Sequence, residues 1–598
     1  MAIKKYFATA DNTISNAFDE TLLSSNKATG SNMGASDILE VFQIYGQVTT
    51  SSSELSRILI QFDTDQISAD RTAEKIPASG SVKFYLNLYN AEHSSTLPEN
   101  FDLTISAVSQ SWQEGNGLDM VNYTDKTYNG TGSNWQNASG IPISEITKFT
   151  FSSDTASDYG ADAAANYIKL YNKSTLINFW FDDGAGDSDG GSGTWVETTI
   201  NNTGSKTDFA ADFAAVVNGN SNFSANVISN IVYVTASTAG KATAPVEEIG
   251  TISGLATEVH LSGANFTAWD SAGGDYHASP TFNKNFYEGY ENLSVDVTSL
   301  VEEWLDGTKD NYGFGIKLKD NLESATKSYY TKKFFARGTE FFFNRPSLEA
   351  KWNDALTDDR GAFFASSSLA PANDNLNTLY LYNRIRGRLR DIPAVGTDDI
   401  EVSLYTEAGG TQIGSTFTGS HVSTGIYKCS VYADTDDTSI IDVWHSGGVE
   451  YHTGSISVLS ENAEILDENT RYLLSIPNLN KEYRNTDKVR FKLYVRPKNW
   501  SPTIYTVAKA TPESTVIHSA SYEICRSIDN LVVIPHDTGS NLSTKLSYNV
   551  SGNYFDIDMS YFEPGYDYDI KFAFYDEYLE NWNHQPYQFK FKVREDEY

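Results

Sequence analysis

The sequence predicts a mainly β protein made of tandem β-sandwich domains, jelly-roll and immunoglobulin-like, with a small α+β insertion. Three observations lead there. Aromatic residues make up 13% of the chain, with 36 Tyr and 32 Phe against 4 Met, a composition suited to pleated, half-buried surfaces. Stretches that alternate apolar and polar residues recur at 82–89, 489–495 and 567–575, the period of a strand with one buried face. Finally, 598 residues exceed what one hydrophobic core serves, so about four domains are expected.

The first sandwich starts with Thr9-Ala10-Asp11-Asn12-Thr13-Ile14-Ser15, Ser36-Asp37-Ile38-Leu39-Glu40-Val41 and the alternating run from Ser56 to Asp63. After a long interruption it resumes with Val295-Asp296-Val297 and a short helical segment from Ser299 to Leu305. Ser299 and Glu302 stand at capping-box spacing, Leu300, Val301, Trp304 and Leu305 share a face, and Asp306-Gly307 ends the turn. Glu302 and Glu303 are therefore read as a cap and a solvated side chain, not as a catalytic pair. Tyr312-Gly313-Phe314-Gly315-Ile316 and Arg345-Pro346-Ser347-Leu348-Glu349-Ala350-Lys351-Trp352 complete the set. These two groups together resemble the DNRLRE-type modules, a carbohydrate-binding-module-like β-sandwich family of secreted and cell-surface proteins. Ser111-Trp112-Gln113-Glu114-Gly115 and Asn134-Trp135 extend the resemblance, and both tryptophans are expected in the core. The resemblance implies a discontinuous sandwich over 1–137 and 256–353, and a scaffold for binding and display.

Between them, 141–255 reads as an inserted α+β domain of a kind that resembles small domains of phage tail and fibre proteins. Its helix, 207–218, places Phe209, Phe213, Val216 and Val217 on one face, and Asn218-Gly219 stops it. Past a charged, turn-rich linker at 353–361, the strand-like runs 377–383, 386–390, 400–405 and 424–431 suggest an immunoglobulin-like sandwich over 362–460. A last β-sandwich is expected over 461–598.

Charge and cysteines narrow the function. The 78 acidic and 44 basic residues leave a net charge of −34, which argues against nucleic acid as a partner. Two cysteines, Cys429 and Cys525, fall in different expected domains and form no disulfide framework. No stretch of 18 apolar residues predicts a membrane span, and no secretory signal is recognised at the N-terminus. A surface-type module without an export signal fits a particle released by lysis.

Few residues suggest chemistry. Asp182, Asp183, Asp187 and Asp189 lie in an Asp/Gly-rich run whose oxygens suit calcium. Counting from Asp187, however, the twelfth position is Thr198 and not Glu, so a solvated hairpin tip between Phe181 and Thr194 is the expectation, with calcium second. Trp269, Tyr276, Tyr287 and Tyr290 lie in a Gly-rich stretch where rings could stack on sugar faces. No Walker loop, nucleophile elbow or zincin motif occurs, and no cofactor is expected. The sequence thus leads to a non-enzymatic virion structural protein of a bacteriophage, in the tail, neck or collar, or decorating the head. Its expected partners are other virion proteins, further copies of itself (a homo-oligomer) and a host-surface polysaccharide. The alternative is a cell-surface or secreted carbohydrate-binding adhesin; a polysaccharide-degrading enzyme comes third.

Overall fold

The computed structural model describes residues 2–18, 27–46, 52–93, 98–118, 132–139, 144–159, 167–172, 174–182, 193–200, 203–238, 243, 245–248, 252–261, 268–459, 471–500, 514–576 and 579–596. The protein is mainly β, with tandem β-sandwich domains and an α+β insertion. It divides into two compact units, one of Tyr6–Ala69 with Tyr85–Leu348, the other of Met1–Lys5, Asp70–Phe84 and Glu349–Tyr598.

In the first unit, strands from the two ends of the interrupted module hydrogen-bond directly. Ser52–Phe62 pairs antiparallel with Ile3–Ser15 and with Phe314–Leu318, and Ile38–Gly46 pairs with Tyr329–Phe335. Phe314–Leu318 also pairs with Phe101–Val108, which pairs with Tyr276–Phe286. Alternation places Ile58 and Ile60 inward, but Leu59 is buried as well. It lies on the opposite face, in a second cluster with Ile14, Val108, Trp112, Trp135 and Trp269. Trp112 and Trp135 are thus core residues. The helix Thr298–Leu305 buries Leu300, Val301 and Trp304 as expected, yet its cap differs. Asp296 accepts from the Thr298 amide at 3.0 Å, because the helix begins one residue before Ser299 and the Ser299–Glu302 spacing falls inside it.

Among the described residues, the insertion has two four-stranded sheets closed by the α-helix Lys206–Asn218. The Asp208 carboxylate accepts from the Ser205 amide and hydroxyl at 2.8 Å each, fixing the first turn. Phe213, fully buried, has the rings of Phe149, Phe151, Phe179 and Phe181 at 5.2 to 5.9 Å. Leu255–Leu261 pairs with Ile146–Phe151 in this domain, so the expected boundary at 256 falls within a strand of the insertion. Thr175–Asp182 and Trp195–Thr199 run parallel, so they do not form the expected hairpin, which requires antiparallel partners.

The second unit holds the other two sandwiches. In the immunoglobulin-like one, Gln412–Ser423 pairs with Ile400–Tyr405 through its first half and with Ile426–Val431 through its second, linking both sides around Trp444, Tyr427, Val402 and Leu404. The expected sandwich strand at 386–390 is instead half of a separate two-stranded ribbon, Arg384–Ile385 with Arg388–Leu389, in which 384–388 are all exposed. The expected linker is docked on the C-terminal sandwich. The Leu356 amide donates to Ser547 Oγ at 3.0 Å, the Tyr548 amide to Leu356 O at 2.9 Å, and the Tyr548 hydroxyl to Asp359 Oδ1 at 2.6 Å. Cys429 and Cys525 are both free and buried. Among the described residues, no helix is long and apolar enough to cross a membrane.

Candidate functional site

Tyr287 and Tyr290 stand out among the sequence candidates because the two residues are 71% and 57% exposed. They occupy the turn after Tyr276–Phe286. Phe286 is buried and stacks on Phe101 at 5.2 Å, so the chain leaves a fixed end of the sheet. Gly289 then takes φ +90, a conformation that costs glycine least.

The turn is braced from two sides. Glu291 folds its carboxylate back to accept from the amides of Glu288 and Gly289, each at 2.7 Å. From below, the Lys332 ammonium donates to Gly289 O and Glu291 O at 2.8 Å and to Asn90 Oδ1 at 2.6 Å. Its nitrogen lies 4.9 and 5.0 Å from the ring centres of Phe286 and Phe334. Lys332 is 1% exposed, and burial pushes its pKa down to about 7, opposed in part by the Glu291 charge. At the edges of the turn, the Asn100 amide donates to Tyr287 O at 3.1 Å and the Asn90 amide to Asn292 Oδ1 at 2.8 Å. Backbone held this firmly presents two aromatic faces and the Glu288 carboxylate without an ordering cost on binding.

The other aromatic candidates are structural. Trp269 is 4% exposed, and its indole N–H donates to Asn134 O at 2.8 Å inside the tryptophan cluster. Tyr276 is half-buried and folds back to donate to Gly273 O at 2.8 Å. The Arg57 guanidinium lies 5.8 Å from its ring centre and 5.1 Å from that of Trp135. Arg57 is itself clamped by both Glu323 oxygens, at 2.9 and 2.7 Å, and by Gly273 O at 2.8 Å. The Gly-rich stretch, expected to open a sugar platform, therefore lets a tyrosine ring lie on the sheet. A Cβ at Gly315 would sit 2.0 Å from Tyr276 Cε1. Gly315→Ala is expected to destabilise this unit by about 3 kcal/mol through overpacking, read as a lower urea midpoint.

Of the calcium candidates, Asp182 ends the strand Thr175–Asp182 and its carbonyl accepts from Ile200 at 2.8 Å. Asp183, Asp187 and Asp189 lie outside the described residues. Among the described residues, no group of three or more metal-ligating side chains comes together. Glu303 pairs with Lys309 at 2.6 Å.

The Asp11-Asn12-Thr13 motif forms a buried polar network. All three are 2% exposed or less. Asn12 donates to Ser133 at 2.9 Å and accepts from the Met33 amide at 3.1 Å. Asp11 accepts from the Arg337 amide at 2.6 Å, and its own amide donates to Glu114 at 2.9 Å. Arg337 also pairs with Glu114 through both guanidinium arms. Burial raises Asp11 to about 7. The network ties loops 21 to 326 residues apart in sequence, so these residues hold the module together.

Sequence reading missed Lys332. Its signal is parity: Phe334 is buried on the same face two residues on, so the lysine occupies an inward position.

No family model matches the chain, and no curated protein matches it. Solved structures similar in part include the following. The Yersinia pseudotuberculosis adhesin InvE is 9% identical at a TM-score of 0.12, over 36% of this chain and 54% of that one; the chain spans about half the adhesin's length. DIP-gamma IG1+IG2 is 10% identical at 0.11, over 38% and 91%. Trypsin-activated alpha-2-macroglobulin from Escherichia coli is 9% identical at 0.14, over 53% and 26%.

Proposed function

We propose that the chain is a non-enzymatic structural protein of a bacteriophage particle, which displays β-domains and touches a host-surface glycan through the Tyr287–Tyr290 turn. The observation that carries this is the combination of docked sandwiches and a braced, exposed aromatic turn. Display needs rigid domains, and the 353–361 segment is held to the C-terminal sandwich by backbone and Asp359–Tyr548 contacts. Contact needs aromatic faces that are already ordered. The DNRLRE-like motif supports the reading, since its Asp11-Asn12 residues build a scaffold rather than a reactive centre. Protein inventory by mass spectrometry of purified particles, with antibody labelling in electron micrographs, tests it; a particle lacking the chain overturns it.

The exposed tyrosines also favour the adhesin reading, in which the isolated chain binds cells with no particle involved. In both readings Tyr287→Ala with Tyr290→Ala is expected to weaken polysaccharide binding about 10-fold to 100-fold. The melting temperature should stay unchanged, because both rings face solvent. Polysaccharide affinity electrophoresis reads the first and calorimetry the second.

A further inference from the structure

Four arginines alternate along the ribbon that leaves the immunoglobulin-like sandwich: Arg384, Arg386, Arg388 and Arg390. All four are exposed. The ribbon turns tightly through Arg386 and Gly387, at φ 51 and 78, a two-residue turn that suits the strand twist. Its base is fixed, with Asn383 Nδ2 donating to Arg390 O at 2.6 Å and the Arg390 amide to Asn383 O at 3.1 Å. Among the described residues none of the four guanidinium groups has a carboxylate partner. Of the nearest carboxylates in sequence, Asp391 is taken by His421 at 3.1 Å and the Gly425 amide at 2.6 Å; Asp398 and Asp399 pair with none of them. In a chain of net charge −34, four clustered, unpaired arginines are the exception.

The other end of the same sandwich is the complement. The ribbon follows Tyr382, the last residue of Asn377–Tyr382, which pairs antiparallel with Ile426–Val431 so that Tyr382 faces Ile426 and Asn377 faces Val431. Residues just before Asn377 and just after Val431 therefore lie at the opposite pole, about 20 Å away along a six-residue strand. That pole carries Asp374, Asp434, Asp436 and Asp437, all exposed and without a Lys or Arg partner among the described residues. The same two flanking segments carry exposed apolar side chains, Leu369 at 94%, Leu376 at 44% and Tyr432 at 44% exposure. The arginine ribbon has its own apolar member, Ile385, at 48%.

We propose that the immunoglobulin-like domain is a bipolar self-association module, in which the arginine ribbon of one copy docks on the Asp374/Asp434–Asp437 pole of a second copy. The proposal goes beyond the display reading and stands on this domain alone. One occupant accounts for both poles, in charge and in apolar surface. A polyanion would match the arginines, leave the acidic and apolar pole unused, and meet the repulsion of the whole chain. Copies repel one another too, but screening confines that repulsion to about 8 Å at physiological salt, so surface contact decides. Like poles cannot meet, so the contact is head to tail, and it builds a closed ring or a filament according to the rotation per copy.

Sedimentation velocity on the full chain tests this with two variants. Arg384→Ser/Arg386→Ser/Arg388→Ser/Arg390→Ser removes one pole, and Asp434→Asn/Asp436→Asn/Asp437→Asn the other. The unaltered chain is expected to associate with rising concentration and to dissociate in about 1 M salt. Each variant alone should associate about 100-fold more weakly, with melting temperatures unchanged. Mixed in equal amounts, the two variants retain one intact pole each and should form a dimer and nothing larger. Three results would overturn the proposal: an unaltered chain that stays monomeric to about 50 μM, variants that associate as it does, or variants that fail to pair. Retention on heparin that is lost with the arginines while association is unaffected also overturns it, giving the ribbon to a polyanion.

Discussion

Replacing Asp442 by Asn is expected to destabilise the immunoglobulin-like sandwich by about 3 kcal/mol, the usual cost of breaking a buried ion pair. Asp442 is fully buried on the strand Ser439–Ser446. Arg360 grips it with both arms, at 2.7 and 2.5 Å, and the Trp444 indole N–H donates to the same carboxylate at 2.7 Å. Room for the pair is left by Gly454, where a Cβ would meet Arg360 Nη1 at 2.7 Å and Asp442 Oδ1 at 2.8 Å. Asparagine keeps the volume and one acceptor for Trp444, but strands a guanidinium whose side chain is only 17% exposed. Urea unfolding followed by circular dichroism measures the loss. Arg360→Met in the same background should recover part of it, because the stranded charge is then gone; a double mutant less stable than Asp442→Asn alone would contradict this account.

Lys332→Met is expected to have the second large effect, again about 3 kcal/mol, because one buried and two part-buried acceptors lose their donor. It should also loosen the Tyr287–Tyr290 turn and weaken polysaccharide binding without touching either ring. The pH dependence separates charge from packing. Lys332 titrates in the folded state near 7, below the ordinary lysine range, so between pH 7 and about 10 the unfolded chain holds the extra proton and stability rises with pH. Asp11 acts in the opposite sense. With its folded pKa raised to about 7, the folded chain holds the extra proton between about pH 4 and 7, and stability falls as pH rises. The shift corresponds to at most about 5 kcal/mol at Lys332 and about 4 kcal/mol at Asp11. Thermal melts across pH should show the alkaline rise flattened in Lys332→Met and the acid-side fall flattened in Asp11→Asn, each leaving the other limb alone.

Asp442 and Lys332 show how far local pattern reaches. Each is a charged residue in an inward phase, Asp442 between Ile440 and Trp444, Lys332 two residues before Phe334. That much is legible, because strand parity is a property of neighbouring residues. Their partners are not, since Arg360 is 82 residues away and Asn90 is 242 away. The aromatic candidates divide for the same reason. Trp269, Tyr276, Tyr287 and Tyr290 share one Gly-rich stretch, yet the first is covered by the tryptophan cluster and the second lies on Gly315. Only the last two are left in solvent.

By itself the sequence determined the β class, the helix at Lys206–Asn218, the burial of Trp112 and Trp135 and the alternation of a strand such as Lys488–Pro497. All of these follow from periodicity and capping within a few residues. Tertiary structure decided which aromatics are exposed, which ion pairs are buried and that the 353–361 segment is docked. It also decided that Arg384–Leu389 stands apart as a ribbon. Those outcomes depend on which distant strands pair, and local residue preferences carry no information about the partner.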